Sequence, residues 1–316
     1  MKILVIGGAG YIGSHVTYEL CDNGYDVIVL DNLSTGFMDN IDKRAHFIED
    51  SFTNKHTINK ILKEIDCVIH LAALKAAGES MINPIKYSEH NIIDSINLIN
   101  SCVTNNVKSF IFSSTAAVYG FPKYLPIDEL HELNPVNYYG YTKMIIEKQL
   151  LWLNKLNGIN VALLRYFNAA GYDIKGRVIR KEKDPQNLLP IVMEVACGDR
   201  NKISVFGNDY DTPDGTCLRD YIHVNDLAKG HLKAIEMLQD TNKIITNLAT
   251  GKSHSVLDVI KKTKDVVGKD IKFEIVDRRS GDPDSLYAKS NNMLKYSNQF
   301  SDLETIIKSM WNIYKK

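Results

Sequence analysis

Tyr139 and Lys143 lie four residues apart in Asn137-Tyr-Tyr-Gly-Tyr-Thr-Lys143, at the start of a helix-patterned stretch. Residues i and i+4 share a helical face, so this spacing can hold an ammonium beside a phenol. An unperturbed Tyr titrates near pH ~10, and a nearby cation favours the phenolate and lowers that value. A phenol tuned in this way can take up and return a proton near neutrality. A second Tyr and Lys at the same spacing, Tyr119 and Lys123, enclose Pro122. Proline breaks a helix interior, so those two side chains need not share a face. Tyr138 adjoins Tyr139 but is not four residues from a Lys. Tyr139 and Lys143 are therefore the pair to position.

The first thirty residues show what would position them. Lys2–Ile6 is an apolar run, followed by the glycine turn Gly7-Gly-Ala-Gly10-Tyr-Ile-Gly13 and a helical stretch from Ser14 to Cys21. A second apolar run, Asp26-Val-Ile-Val-Leu30, ends in Asp31. Strand, glycine turn, helix and strand with a carboxylate at its tip form a dinucleotide-binding unit. The glycines let the backbone approach a pyrophosphate, whose charge the helix N-terminus favours. Asp31 can accept from both ribose hydroxyls, and Asn32-Leu-Ser-Thr-Gly36 offers no Arg or Lys for a 2′-phosphate. The expected cofactor is NAD rather than NADP.

Strands and helices alternate to about residue 165, as a doubly wound parallel sheet requires. Further strands are expected at Cys67–Leu71, Ser109–Ser113 and Val161–Arg165, and helices at Lys55–Glu64, Pro84–Asn105 and Tyr139–Leu156. Beyond Asn168 the pattern shortens, with helices expected near Asn187–Cys197, Asn225–Leu238, Val256–Val267 and Leu303–Trp311. The fold class is α/β: a Rossmann-like domain over residues 1–168 and a smaller α/β substrate lobe over 169–316, with some exchange of elements. The charged run Arg177–Asp184 is read as a solvated loop.

With these motifs in view, the chain resembles the extended short-chain dehydrogenase/reductase family, and within it the UDP-galactose (UDP-glucose) 4-epimerases. The matching blocks run from Gly7-Gly-Ala-Gly-Tyr-Ile-Gly-Ser-His15 to about Asp282. They include Val68-Ile-His-Leu-Ala-Ala-Leu-Lys75, Phe110-Ile-Phe-Ser-Ser-Thr-Ala-Ala-Val-Tyr-Gly120 and Leu164-Arg-Tyr-Phe-Asn168. Later blocks are Val205-Phe-Gly-Asn-Asp-Tyr210, Asp214-Gly-Thr216, Arg219-Asp-Tyr-Ile-His-Val224 and Arg278-Arg-Ser-Gly-Asp282. The resemblance implies interconversion of UDP-glucose and UDP-galactose through a transient 4-keto sugar, with NAD held tightly and not consumed. Tyr139 would be the acid/base, Lys143 the cation beside it and the nicotinamide ribose, and Thr115 the hydroxyl that orients the sugar's reacting oxygen.

The same resemblance assigns Gly7, Gly10, Tyr11, Ile12, Gly13, Asp31, Asn32, Ser51, Phe52, Leu71, Ala72, Ala73, Lys75, Asn91 and Phe167 to the cofactor, with Tyr139 and Lys143. To the substrate it assigns Thr115, Asn168, Asn187, Leu188, Ser204, Val205, Phe206, Arg219, Tyr221, Arg279, Asp282 and Leu286. Arg219 and Arg279 suit a pyrophosphate because a guanidinium makes paired, charge-assisted hydrogen bonds. Where the family has an Asp for the adenine amino group, this chain has Ser51, with Asp50 one position early. Leu286 stands where some members carry a bulky aromatic, so the smaller side chain leaves room for an N-acetyl group. UDP-GlcNAc and UDP-GalNAc are then alternative substrates. The family is commonly dimeric, which implies a homodimer.

Two other readings share parts of this pattern. A nucleotide-sugar dehydratase would follow Thr115 with Asp-Glu, but Ala116-Ala117 stands there. A non-catalytic NAD-sensing module would need the glycine turn but not Tyr139 and Lys143. Composition narrows the partners: 38 Lys+Arg balance 38 Asp+Glu in 316 residues, which argues against a nucleic-acid or membrane footprint. Five scattered Cys without a C-x-x-C point to reduced thiols and a cytoplasmic setting. The His and Cys form no ligand-spaced cluster, so no metal is expected.

Overall fold

The computed structural model describes residues 1–279, 281–289 and 299–315. Two compact units divide the chain. The first comprises Met1–Gly120, Leu133–Arg165 and Ala228–Thr246, and the second Phe121–Glu132, Tyr166–Leu227 and Asn247–Lys316.

In chain order the strands are β1 (Lys2–Ile6), β2 (Asp26–Asp31), β3 (His46–Glu49), β4 (Cys67–His70), β5 (Ser109–Thr115), β6 (Asn160–Tyr166), β7 (Asn168–Ala170), β8 (Ile203–Phe206), β9 (Leu218–His223), β10 (Lys243–Leu248), β11 (Ser253–Ser255), β12 (Phe273–Val276) and β13 (Ser285–Leu286). The helices are α1 (Tyr11–Asp22), α2 (Lys55–Leu62), α3 (Ala77–Ile82), α4 (Pro84–Tyr87), α5 (Asp94–Thr104), α6 (Tyr138–Asn157), α7 (Leu188–Cys197), α8 (Val224–Met237), α9 (Val256–Val267) and α10 (Leu303–Tyr314). No helix among the described residues is long and apolar enough to cross a membrane.

The first unit is built on a seven-stranded sheet in the order β10-β6-β5-β4-β1-β2-β3. β1 pairs in parallel with β2 and β4, and β4 with β5. Parallel strands with helices on both faces must be apolar on both sides, and Ile3, Leu4, Val5, Val68, Ile69, Phe110 and Ile111 are fully buried. The strand order reverses beside β1, between β1 and β4. Open α/β sheets bind ligands beyond the carboxyl ends of their strands at such a point. Gly7, Asp31, Leu71 and Thr115 end or follow β1, β2, β4 and β5, so all four lie along that carboxyl edge.

One long helix was expected over Pro84–Asn105. The structure instead divides it into α4, a π-helical stretch Ser88–Ile93 and α5. The wider π turn carries Asn91, whose side chain is turned inward and buried. π turns frequently accompany functional sites. The Tyr139 helix follows its expectation closely as α6. Asn137 caps it by accepting from the Gly140 N–H at 2.8 Å, and Gly158 ends it in the left-handed region.

In the second unit β9 is the hub. It pairs with β7 and β13 in parallel and with β11 in antiparallel fashion, while β8 and β12 form a separate parallel pair. α9 opens with a reciprocal capping box between Ser255 and Asp258, and α10 packs against α9 and α7. The expected loop at 177–184 holds no helix or strand. Arg177 there folds back on Asp173, at 2.8 Å, and Val178 is fully buried.

Candidate active site and cofactor cradle

The glycine turn fits a dinucleotide because close backbone packing leaves no room for side chains. A Cβ on Gly13 would sit 2.1 Å from the Gly7 carbonyl oxygen, which is itself backbone and cannot swing aside. Gly10 immediately precedes α1 and offers it no side-chain cap. The helix's first-turn N–H groups are therefore not taken by a capping side chain, the arrangement that suits a bound anion. The Asp31 carboxylate at the tip of β2 accepts from the Ala9 and Leu33 N–H groups at 3.0 and 2.8 Å. Each oxygen retains a lone pair for a ribose hydroxyl. Asn32 uses its side-chain oxygen on the Ser34 N–H at 3.1 Å. The cradle thus suits NAD in shape and in donor set.

Around it, Leu71 and Ala72 follow β4, with the Ala72 backbone packed against Gly7. Ala73 and Lys75 keep accessible surface beyond them. Tyr11 and Ile12 lie in the first turn of α1, where the Tyr11 carbonyl accepts from Ser14 and contacts His15. Near the expected adenine end, Asp50 is committed locally. It accepts from the Ser51 N–H, Asn54 and Thr57. The Ser51 hydroxyl pairs with Thr53, and Phe52 sets its ring edge-on to His70. Asn91, expected at the cofactor, clamps the main chain of Leu74 with its amide. Oδ1 accepts from the Leu74 N–H and Nδ2 donates to the Leu74 carbonyl, each at 2.9 Å, and also reaches Thr142. These bonds tie the loop after β4 to α6.

The candidate catalytic group lies on β5 and α6. Gly140 allows α6 to approach closely, since a Cβ there would meet the Ala117 carbonyl oxygen at 2.5 Å. The Tyr139 N–H donates to Ser80 Oγ at 3.0 Å, fixing the first turn. The Thr115 hydroxyl accepts from the Ala117 N–H at 3.1 Å and acts on the Tyr139 phenol in the direction that favours ionisation. Tyr138, by contrast, shares a hydrogen bond with Ser88 at 2.6 Å and stacks on Tyr141.

The electrostatics differ from the expectation that Lys143 makes this phenol acidic. Burial dominates and pushes the Tyr139 phenol up to about 12, with the Thr115 hydroxyl pulling the other way. The side chain keeps some accessible surface, but protein crowds its hydroxyl. Lys143 donates to the Ser113 carbonyl at 2.8 Å and sits 4.8 Å from the Phe112 ring centroid, with the Tyr139 ring centroid 5.9 Å away. Burial pulls its own ammonium down to about 7, opposed by the negative charge of Glu147. Spacing of i and i+4 sets a common face, but the ammonium's aim was chosen by a strand-end carbonyl. Lys143→Met removes the positive charge nearest the phenol and should lower kcat by about 10²-fold, in the range for a group supporting acid/base transfer. A turnover assay on protein with unchanged NAD content checks this.

The second unit carries the residues expected at the substrate other than Thr115, and also Phe167, expected at the cofactor. Asn168 on β7 donates to the Asp220 carbonyl at 2.9 Å and lies beside Tyr221 of β9. Tyr221 is buried, and burial raises its phenol above the usual range. The Arg219 guanidinium lies 3.6 Å from the Asp282 carboxylate, while Leu286 of β13 registers against Arg219. Arg279 stacks its guanidinium over Phe206 with 4.3 Å to the ring centroid. Ser204 and Phe206 share the exposed face of β8, whereas Val205 is buried on the opposite face. Strand alternation thus leaves Val205 only its main chain to offer a ligand. Asn187 and Leu188 begin α7, and Phe167 is buried, its N–H bonded to the Leu248 carbonyl.

Sequence reasoning missed a layer beneath the candidate catalytic residues. Glu147, Arg165, Ser114 and Tyr119 are buried and linked in a chain, Ser114 and Arg165 donating to Glu147 and Arg165 to Tyr119, with the Glu147 charge acting on Lys143. The helical spacing that selected Tyr139 and Lys143, extended by one more turn, would have found Glu147.

Comparison with known proteins gives this arrangement its class. The model of the NAD dependent epimerase/dehydratase family matches residues 3–249, and the chain belongs to that family. It is 41% identical over 321 residues to a UDP-glucose 4-epimerase of Lactobacillus helveticus, spanning 100% of this chain and 97% of that one. Among solved structures, the UDP-glucose 4-epimerase of Brucella ovis in complex with NAD superposes with a TM-score of 0.95 at 37% identity, covering 99% of this chain and 98% of the other. The enzyme of Bifidobacterium longum, in complex with NAD+ and UDP, gives a TM-score of 0.93 at 37% identity over 99% and 98%.

Proposed function

We infer that this chain interconverts UDP-glucose and UDP-galactose by NAD-dependent epimerisation at C4, through a transient 4-keto sugar. The observation that carries the reading is the buried Tyr139 phenol with the Thr115 hydroxyl acting on it and the Lys143 ammonium 5.9 Å from its ring centroid, at the carboxyl edge of a sheet whose first turn fits a dinucleotide. Full-length likeness to UDP-glucose 4-epimerases supports the choice of substrate. In this reading residues 1–168 carry the cofactor and the proton chemistry, and residues 169–316 carry the nucleotide sugar.

Each side chain then has a defined task. Thr115 orients the sugar 4-oxygen toward Tyr139. Tyr139 takes the 4-hydroxyl proton as the sugar is oxidised and returns it as the sugar is reduced on the other face. Lys143 holds positive charge close enough to favour the phenolate against the burial that opposes it. Bound NAD, held by the glycine turn, Asp31 and Lys143, supplies a reversible hydride acceptor and a cationic ring that favours the phenolate further. Arg219 and Arg279 take the pyrophosphate, with Asn168, Asn187, Leu188, Ser204, Phe206, Tyr221 and Asp282 around the rest of the nucleotide sugar. No net oxidation occurs, so the cofactor stays bound between turnovers.

The dehydratase reading lacks its chemistry, because Ala116 and Ala117 carry methyl groups that cannot move a proton. The N-acetylated pair rests on Leu286 alone, which is half-buried on β13. If that position limits the C2 substituent, Leu286→Tyr should suppress turnover of UDP-GlcNAc at least tenfold more than that of UDP-glucose, which paired assays would show. A cytoplasmic homodimer completes the reading. All five Cys are free thiols, and Ile82, Ile85, Ile93, Trp152 and Leu156 expose apolar surface on helical segments of the first unit. The direct test is to supply UDP-glucose to purified protein without added NAD. UDP-galactose should form and NAD should be released on denaturation; absence of the epimer defeats the reading.

A further inference from the structure

Beneath Tyr139 and Lys143 lies a buried polar cluster that the reaction itself does not use. The Glu147 carboxylate accepts from the Arg165 guanidinium at 3.0 and 2.7 Å and from the Ser114 hydroxyl. Arg165 also donates to the Tyr119 hydroxyl at 3.0 Å and stacks over that ring. The Arg165 and Glu147 side chains are only 4% and 1% exposed. Replacing a buried ion pair by apolar groups often costs little stability, so stability alone is a weak reason for this one. Its placement supplies a better reason. Glu147 lies one helical turn beyond Lys143, and Ser114 lies between Ser113, whose carbonyl receives Lys143, and Thr115, which meets Tyr139.

We propose that Glu147 is a positioning residue for the epimerisation, holding the Ser113–Thr115 strand end against α6 and keeping the Lys143 ammonium charged in its buried site. The proposal rests on the function inferred above.

The charges around Lys143 bear this out. From β4 the His70 ring approaches it, but burial pulls that imidazole down to about 3, so it is neutral at working pH. From its own helix come Tyr139, whose phenol burial keeps protonated, and Glu147. From β6 comes the Arg165 cation, bonded to Glu147. Glu147 is therefore the one group among these that opposes the desolvation of Lys143. An ammonium deprived of that carboxylate sheds its proton at lower pH, so activity should be lost on the alkaline side and recover as pH falls.

The test is Glu147→Gln in the NAD-loaded enzyme, read as a kcat–pH profile with NAD content and thermal unfolding recorded alongside. The alkaline limb should move about one pH unit lower, giving about a tenfold loss of kcat near pH ~8 and about twofold near pH ~6, with KM for UDP-glucose little changed. Ser114→Ala keeps the charge and should leave the limb in place. Should Glu147→Gln strand Arg165 and fail to fold, Glu147→Gln/Arg165→Met removes both buried charges and should show the same displaced limb. A folded variant with an unmoved limb overturns the proposal. Failure of both variants to fold also overturns it, by assigning the cluster to stability. Wild-type protein inactive on UDP-glucose would instead sink the functional reading, leaving the displaced limb with nothing to report on.

Discussion

Tyr139→Phe should lower kcat for UDP-glucose epimerisation by about 10³-fold, the scale of a positioned acid/base group. The substitution removes one hydroxyl and leaves the ring between β5 and α6, so the fold and the cradle should persist. Asn137 capping of α6 and the Tyr139 N–H bond to Ser80 involve atoms that Phe retains. NAD released on denaturation should therefore match wild type, and KM should move little. No neighbour can take over. The Tyr138 phenol is bonded to Ser88 and stacked on Tyr141, and Lys143 faces the Ser113 carbonyl. Retention of more than a tenth of wild-type kcat would mean that another group moves the proton.

The second large effect falls on the cofactor. Gly13→Ala should abolish retention of NAD through purification, and with it turnover in the absence of added cofactor. A Cβ at this position lands 2.1 Å from the Gly7 oxygen and 2.7 Å from the Gly8 Cα, both main-chain atoms. Contacts that short cannot be relieved by a rotamer change, so the turn between β1 and α1 has to open. Opening it moves the N–H groups that face the pyrophosphate and shifts Ala9, whose N–H holds Asp31. Nucleotide content per chain is the readout. A substoichiometric or empty preparation is expected, and full occupancy would mean the turn does not hold the cofactor.

The outline of the fold was legible because parallel strands buried on both faces leave unbroken apolar runs. Lys2–Ile6 and Asp26–Asp31 appear in the structure as β1 and β2, and α6 and α9 lie within one residue of their expected bounds. The glycine turn and Asp31 could be read for the same reason: a backbone packed too closely for a Cβ has to be written in glycine. What escaped was non-local. Nothing in the residue pattern of Pro84–Asn105 announces a π turn; the partner that accompanies it, the Leu74 main chain, lies far away in sequence. The aim of Lys143 was hidden similarly, since helical spacing specifies a face and not the strand-end carbonyl that captures the ammonium. Burial then reversed the expected shift of the Tyr139 phenol, a desolvation effect that no spacing rule contains. Glu147 was within reach of the i and i+4 argument, but its partners Ser114 and Arg165 come from β5 and β6 and needed the sheet to be seen.

The central claim is that the sugar is oxidised and reduced at one carbon within a single encounter, with Tyr139 shuttling its proton. Epimerising UDP-glucose deuterated at C4 in ordinary water tests this most directly. The account predicts UDP-galactose that retains the label at C4, with no net change in the cofactor's redox state. Loss of the label to solvent would contradict it.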